Sequence, residues 1–321
     1  MIQFNHNGFA EQKSVFALES ADKINSVLAQ LPVATPLKVW TTDFDAETPE
    51  TAKAVENFKA IYVTSEKESG VVNVPTNRYE IVSHKTAMRP IIDALVQSGV
   101  RDFQFNAQAT LSWANLNIFV GGAGHDGVKL GFQIGNSFDS SSAVSYGAEL
   151  SHSKSYVVLQ GYRQVCSNGL KIKVPLMEAE IVKEETRTQL TTLFKERTRV
   201  LHTKSAESKI EAIQYVVEAI SLLKQPVENM IKKAQKWTIN DSTHFKELIK
   251  LHVGRRFATK VINQYNKDSE IEGDSLWALV QAMTAVASHD PSLSTTARET
   301  LIDKASEMLV VEMFPKPEVK A

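Results

Sequence analysis

Asp102-Phe103-Gln104-Phe105-Asn106-Ala107-Gln108-Ala109 is the stretch whose reading decides the fold. Phe103, Phe105, Ala107 and Ala109 alternate with polar neighbours, and period-two alternation places apolar side chains on one face of a strand. The pattern repeats in Leu116, Ile118 and Val120, then in Val128, Leu130, Phe132 and Ile134, and continues through the runs 143–150 and 156–165. Short Gly, Asn, Asp and Ser turns separate the runs, so an antiparallel sheet of about five strands is expected over 102–174. After Pro175 the periodicity becomes helical, with helices expected near 177–201, 206–233, 242–253, 256–266, 274–288 and 295–309, punctuated by Pro226, Gly254 and Gly273. The fold class is therefore α+β, the sheet packed with long helices and the C-terminal half helical.

The first hundred residues read as mixed. Ile24, Val27, Leu28 and Leu31 have helical spacing before Pro32, and short strands are expected at 37–40, 60–63 and 79–82. The acidic stretch 41–56 reads as a loop leading into a short helix. A helix over about 86–98 carries Met88, Ile91, Ile92, Leu95 and Val96 on one face, with Pro90 in its first turn. The expected organisation is a mixed region at 1–74, a core at 75–310 with its sheet at 102–174 and helices at 176–310, and a flexible tail at 311–321.

The chain has 321 residues, 43% hydrophobic and 23% charged, enough to bury a substantial core and too apolar for general disorder. No run approaches the roughly 18 apolar residues of a membrane span, and residues 1–8 lack a basic, apolar leader, so a soluble cytoplasmic protein without membrane partners is expected. One cysteine makes neither an intramolecular disulfide nor a cysteine-rich zinc site. Net charge is −1, but residues 183–263 alone carry +7. A local excess of that size forms an electrostatic footprint wherever the side chains share a face.

Gly122-Ala123-Gly124-His125-Asp126-Gly127 matches the dinucleotide fingerprint literally, yet a strand follows it where the fingerprint requires a helix N-terminus. It reads as a hairpin loop. None of the eight histidines has a metalloprotease or zinc-finger spacing, and no metal site is expected. Cys166 precedes Ser167-Asn168-Gly169, a turn signal, and reads as a structural thiol rather than a nucleophile.

Two polar motifs stand at strand ends: Asn136-Ser137-Phe138-Asp139-Ser140-Ser141-Ser142-Ala143 and Tyr162-Arg163-Gln164-Val165-Cys166-Ser167-Asn168-Gly169-Leu170. The first reads as Asx and Ser turns, with phosphate binding by its hydroxyls and amides, or metal binding by Asp139, as the functional alternative. In the second, Asn168-Gly169 is turn chemistry supplying positive φ. If the two ends meet, Asn136, Ser137, Asp139, Ser140, Cys166, Asn168, Gly169 and His202 form one polar cluster.

The basic segment offers a second candidate surface. Lys232-Lys233-Ala234-Gln235-Lys236-Trp237 holds no acid and ends in an aromatic. With Lys246, Lys250, Arg255 and Arg256, aided by Arg163, Lys171 and Lys173 at the sheet end, it suits phosphate neutralisation with base stacking on Trp237. A merely solvated helical face explains the same charges equally well.

Tyr79-Glu80-Ile81-Val82-Ser83-His84, the two polar motifs, Arg199-Val200-Leu201-His202-Thr203 and Leu276-Trp277-Ala278-Leu279-Val280-Gln281-Ala282-Met283-Thr284 follow one another in this order. In them the sequence resembles the phage/plasmid-like protein family, a domain family of unknown function carried by phages, plasmids and prophages, over roughly residues 75–310. Ser140 stands where that resemblance would place a glycine. The resemblance implies mobile-element company and no catalytic residues. The resulting expectation is a non-catalytic, cofactor-free single-stranded DNA-binding protein, able to form homo-oligomers and supporting strand annealing, recombination or replication. An analogy of architecture, sheet backed by helices, links it to single-strand annealing recombinases, and fold alone does not give function. The alternatives are a divalent-metal-dependent nuclease or phosphotransferase built on Asp139, Asn136, Asn168 and His202, and a module that binds a host protein through acidic segments 41–56 and 268–274.

Overall fold

In the computed structural model of the chain the described residues are 3–4, 10–11, 16–17, 26–41, 53–66, 68–97, 103–140, 145–146, 151–152, 155–163, 168–202, 206–239 and 241–315. Packing divides the chain into two units, Met1–Ile118 with Gln133–Ala148, and Phe119–Phe132 with Glu149–Ala321. The boundary expected near residue 74 falls inside the first unit.

In the first unit, β1 (Val33–Thr41), β2 (Lys53–Thr64) and β3 (Ser69–Asn73) form an antiparallel three-stranded sheet in sequential order. Its inner face buries Ile61 and Val63 against Phe138, with Tyr79, Ile81 and Leu111 packed around them. Residues 79–82, expected as a strand, are irregular and supply those two side chains instead. The outer face leaves Val33, Leu37, Phe58 and Val71 exposed. Helix α1 (His84–Gln97) buries Met88, Ile91, Ile92 and Leu95. Ser83 caps it, its Oγ accepting from the Thr86 N–H at 3.0 Å. That start is two residues earlier than expected, which puts Pro90 in the second turn. Pro90 is exposed, so the carbonyl its ring leaves unpaired faces water.

β4 (Phe103–Ala109) and β5 (Trp113–Val120) are joined by a tight turn closed by the Thr110 N–H on the Trp113 carbonyl at 2.8 Å. β5 and β6 (Val128–Ser137) then run from one unit into the other. The single five-stranded sheet expected over 102–174 is therefore corrected. An independent sheet precedes this region, and the strands of the region serve two units. The reason lies in β6, where every residue but Gln133 is buried. A strand covered on both faces belongs to an interior, not to a half-solvated meander. Of the run 143–150, only the two-residue strand Ser145–Tyr146, paired with Gly135 and Ile134, is described.

In the second unit, β7 (Tyr156–Arg163) pairs antiparallel with β8 (Asn168–Pro175), and its end pairs with residues 128–131 of β6. Strict alternation in β8 buries Leu170, Ile172 and Val174. The helices are α2 (Glu184–His202), α3 (Ala206–Lys236, continuous through Pro226), α4 (Ser242–Leu248), α5 (Ala258–Glu272), α6 (Leu276–His289) and α7 (Thr295–Met313). The expected C-terminal helical half forms, with bounds that differ: α2 begins at Glu184 rather than near 177, and α5 runs to Glu272 rather than 266. The segment expected as a single helix over 242–253 changes at Ile249 into a π turn, Ile249–Val253, ended by Gly254 at φ 78°.

α6 is the centre of this unit. It is buried from Leu276 through Thr284 without an exposed stripe, the mark of a helix enclosed on every side. It packs on β8, α3, α5 and α7. Its start is fixed by Ser275, whose hydroxyl accepts from the Ala278 N–H at 3.1 Å. Its end is held by Arg298 of α7, only 7% exposed. That guanidinium donates to the carbonyls of Ala287, Ser288 and Leu293, each at 3.1 Å, and of Asp290 at 2.6 Å. Carbonyls at a helix end have no partner within the helix, so an arginine buried among those of Ala287, Ser288 and Asp290 satisfies both sides. Replacing it by methionine, which keeps the packed stem, is expected to cost about 3 kcal/mol or more in urea unfolding monitored by circular dichroism.

Candidate functional site

The second polar motif is absorbed by α6. Arg163, the last residue of β7, donates from Nη2 to Asp126 Oδ1 at 2.7 Å and to Glu272 Oε1 at 2.5 Å, and from Nη1 to Gln281 Oε1 at 3.3 Å. All three members of this ion cluster are about 13–15% exposed. Burial pulls the guanidinium pKa down, but the hydrogen bonds and charges of Glu272 and Asp126 outweigh it and raise the value above the ordinary one. The Trp277 indole N–H donates to the other oxygen of Asp126 at 2.7 Å. Asp126 itself stands at φ 56° in the hairpin loop, a left-handed conformation that aspartate tolerates better than most residues.

Asn168 is 2% exposed. Its amide donates to Gln281 Oε1 at 3.3 Å, and its Oδ1 lies 3.0 Å from His289 Nε2. The Gly169 N–H donates to Ser288 Oγ at 3.0 Å. The reading of Asn168-Gly169 as a positive-φ turn is corrected. Both residues lie within β8, Gly169 is not among the positive-φ glycines, and their polar groups face α6 rather than a turn. Cys166 falls in 164–167, outside the described residues, as does the His202 side chain.

The first polar motif sits in the first unit with different partners. Asn136, 3% exposed, donates to the Val82 carbonyl at 2.8 Å and to His84 Nδ1 at 3.0 Å. The His84 ring lies 4.0 Å from that of Phe138. Asn73 donates from Nδ2 to the Phe138 carbonyl at 3.2 Å and to Ser140 Oγ at 3.1 Å, and the Tyr79 hydroxyl reaches the Ser137 carbonyl at 3.4 Å. Ser137 is buried and Asp139 half-buried, both with polar partners. Ser140 has φ 62°, the backbone a glycine would adopt freely. The motif thus serves as a side-chain lattice tying 136–140 to 73–84, and each motif's network is internal to its own unit.

The basic residues divide into two sets. Arg163 is held in the ion cluster, Lys171 pairs with Asp303 at 2.8 Å, Lys173 lies 4.1 Å over the Tyr156 ring, and Lys233 pairs with Glu180 and covers Phe314. Trp237 is half-buried, its ring 5.1 Å from that of His244. Lys232, Lys236, Lys246, Lys250, Arg255 and Arg256 are exposed and, among the described residues, have no carboxylate partner. The last four border the π turn. That turn is pinned by His252 Nε2 on Glu312 at 2.6 Å and presents Leu251 70% exposed. Lys304 joins them, since a Cβ on Gly254 would stand 3.6 Å from its Nζ. The sequence reading missed Leu251, and Lys304, which comes to Gly254 only through tertiary packing.

Among the described residues no group of three or more His, Cys, Asp or Glu is placed to hold a metal ion, and no helix is long and apolar enough to cross a membrane. No family model, curated protein or solved structure matches the chain.

His84 yields a sharp pH signature. It is 1% exposed with Nε2 unpartnered, and burial holds its pKa down to about 3. A histidine depressed below its unfolded value of about 6.5 favours the native state only when neutral, so stability is complete above about pH 6.5 and drains away as the pH falls toward 3. Wild type is expected to lose its stability advantage over His84→Gln progressively across that window, by up to about 4 kcal/mol, as read from denaturant midpoints at a series of pH values. For Ser140, denaturant unfolding should rank Gly at least equal to Ser in stability, and Val lower by about 1–2 kcal/mol, because β-branching is poorly tolerated at positive φ.

Proposed function

We propose that the chain is a non-catalytic single-stranded DNA-binding protein of a mobile element, acting in strand annealing, recombination or replication. The observation that carries this reading is the exposed, carboxylate-free cation set around the π turn, Lys246, Lys250, Arg255 and Arg256, with Lys304 beside Gly254. Phosphates are neutralised by such side chains with release of counterions. Leu251 projects from their midst, an apolar tip suited to the open face of an unpaired base. π turns are rare and recur at functional sites, because they displace side chains from the helical register. Lys232 and Lys236, exposed at the end of α3, extend the same chemistry. Self-association belongs to this reading, and the exposed apolar face of β1–β3 supports it. So does the resemblance to the phage/plasmid-like family, through the company such proteins keep.

Fluorescence anisotropy with labelled single- and double-stranded oligonucleotides across a salt series tests it. Seven phosphate contacts, the six exposed cations and Lys304, at about 0.7 each give a slope of log K against log salt of about −5 on single strands. Reversing Lys246, Lys250, Arg255 and Arg256 to glutamate should flatten that slope to about −2, the three remaining contacts at about 0.7 each. Leu251→Ala should reduce the preference for single strands without changing the slope. Absence of binding at low salt would sink the proposal, and magnesium-dependent cleavage of the strand would replace it with the nuclease reading.

A further inference from the structure

The loop 121–127 carries the glycine-rich sequence, of which the fold uses Asp126 and the DNA-binding reading uses nothing. Together with α3 it encloses a cavity of about 200 Å³. The floor is apolar and covered: Val128 and Leu130 from β6, and Ile220, Val227 and Ile231 from α3, are each at most 6% exposed. The mouth is polar, with Ser221 and Lys224 exposed and Glu228 half-buried. His125 fixes the loop to α3, its Nε2 lying 2.8 Å from Gln235 Oε1.

The two charges at the mouth are the informative feature. Lys224 and Glu228 lie one helical turn apart, yet among the described residues neither is in an ion pair. Both border Gly124, where an added Cβ would stand 3.2 Å from Glu228 Oε1 and 3.7 Å from Lys224 Cε. An ammonium and a carboxylate thus flank one entrance to an apolar chamber.

We infer that this cavity is a binding site for a small zwitterion with an apolar body, a free aliphatic amino acid such as leucine. Its side chain fills the chamber, its carboxylate meets Lys224 and its ammonium meets Glu228. Size agrees, since a dry cavity of about 150 Å³ suffices for benzene. A ligand of single charge satisfies one side of the entrance and leaves the other with water alone. A nucleobase fits the lining less well, because base platforms are aromatic and this chamber is aliphatic. The site is independent of the π-turn cations and of the DNA-binding proposal.

Titration calorimetry on the full chain with L-leucine, 4-methylpentanoate and 3-methylbutylamine decides the matter. The expected result is saturable binding of leucine, with each singly charged probe weaker by about tenfold or more, the worth of one charge-assisted hydrogen bond. Glu228→Gln should erase the advantage of leucine over 4-methylpentanoate, and Lys224→Met its advantage over 3-methylbutylamine. Both positions reach solvent, so the variants keep the fold, and oligonucleotide affinity should not follow leucine affinity in either. No saturable binding of leucine, or 4-methylpentanoate binding as tightly as leucine, overturns the assignment.

Discussion

Arg163 is a cation at the buried end of a strand, and a guanidinium does not lose its proton to escape the cost of burial. It has to be neutralised where it stands. Asp126 from the hairpin loop and Glu272 from the end of α5 do so, and Gln281 from α6 takes a further N–H. Three separate elements are thereby fixed to the end of β7. Removing Arg163 would leave two carboxylates without their cation in a largely dry setting, which is why such clusters act as geometric constraints more than as sources of stability.

α6 carries that constraint through the second unit. Trp277 near its start holds Asp126, Gln281 in its middle faces Arg163 and Asn168, and Ser288 and His289 at its end hold Gly169 and Asn168. A helix with this much apolar surface would slide easily among neighbours of similar character. The polar contacts along one edge set its position against β7 and β8, and Arg298 closes its far end. The same logic operates in the first unit, where Asn136 and Asn73 tie the polar motif to the segment before α1.

The distribution of charge follows from this economy. Asp126 and Glu272 are engaged with Arg163, Glu180 with Lys233 and Asp303 with Lys171, and among the described residues the cations of the π turn have no carboxylate partner. A chain of net charge −1 thereby presents a locally basic surface. The Lys224 and Glu228 pair is a different case, opposite charges kept apart over an apolar chamber rather than joined.

Local periodicity determined most of what could be read without coordinates. The strands at 103–109, 128–134 and 156–163, the long helices after Pro175, and the hairpin character of the Gly122–Gly127 loop depend on alternation, helical spacing and turn residues within a few positions of one another, and so were legible. The polar motifs were legible as special but not as what they are. Arg163 and Asp126 are 37 residues apart, and Asn168 and Gln281 are 113 apart. A residue's spacing to its neighbours says nothing about a partner brought in by tertiary packing. For the same reason Asn168-Gly169 read as a turn: the pair favours one locally, while strand pairing with β7 and the Ser288 hydroxyl hold it extended. Which of the described cations of 183–263 lack a carboxylate partner, and that Lys304 joins them at Gly254, were also decided in three dimensions. Pairing of a charge is a matter of distance in space, and the chain fixes that distance only once it has folded.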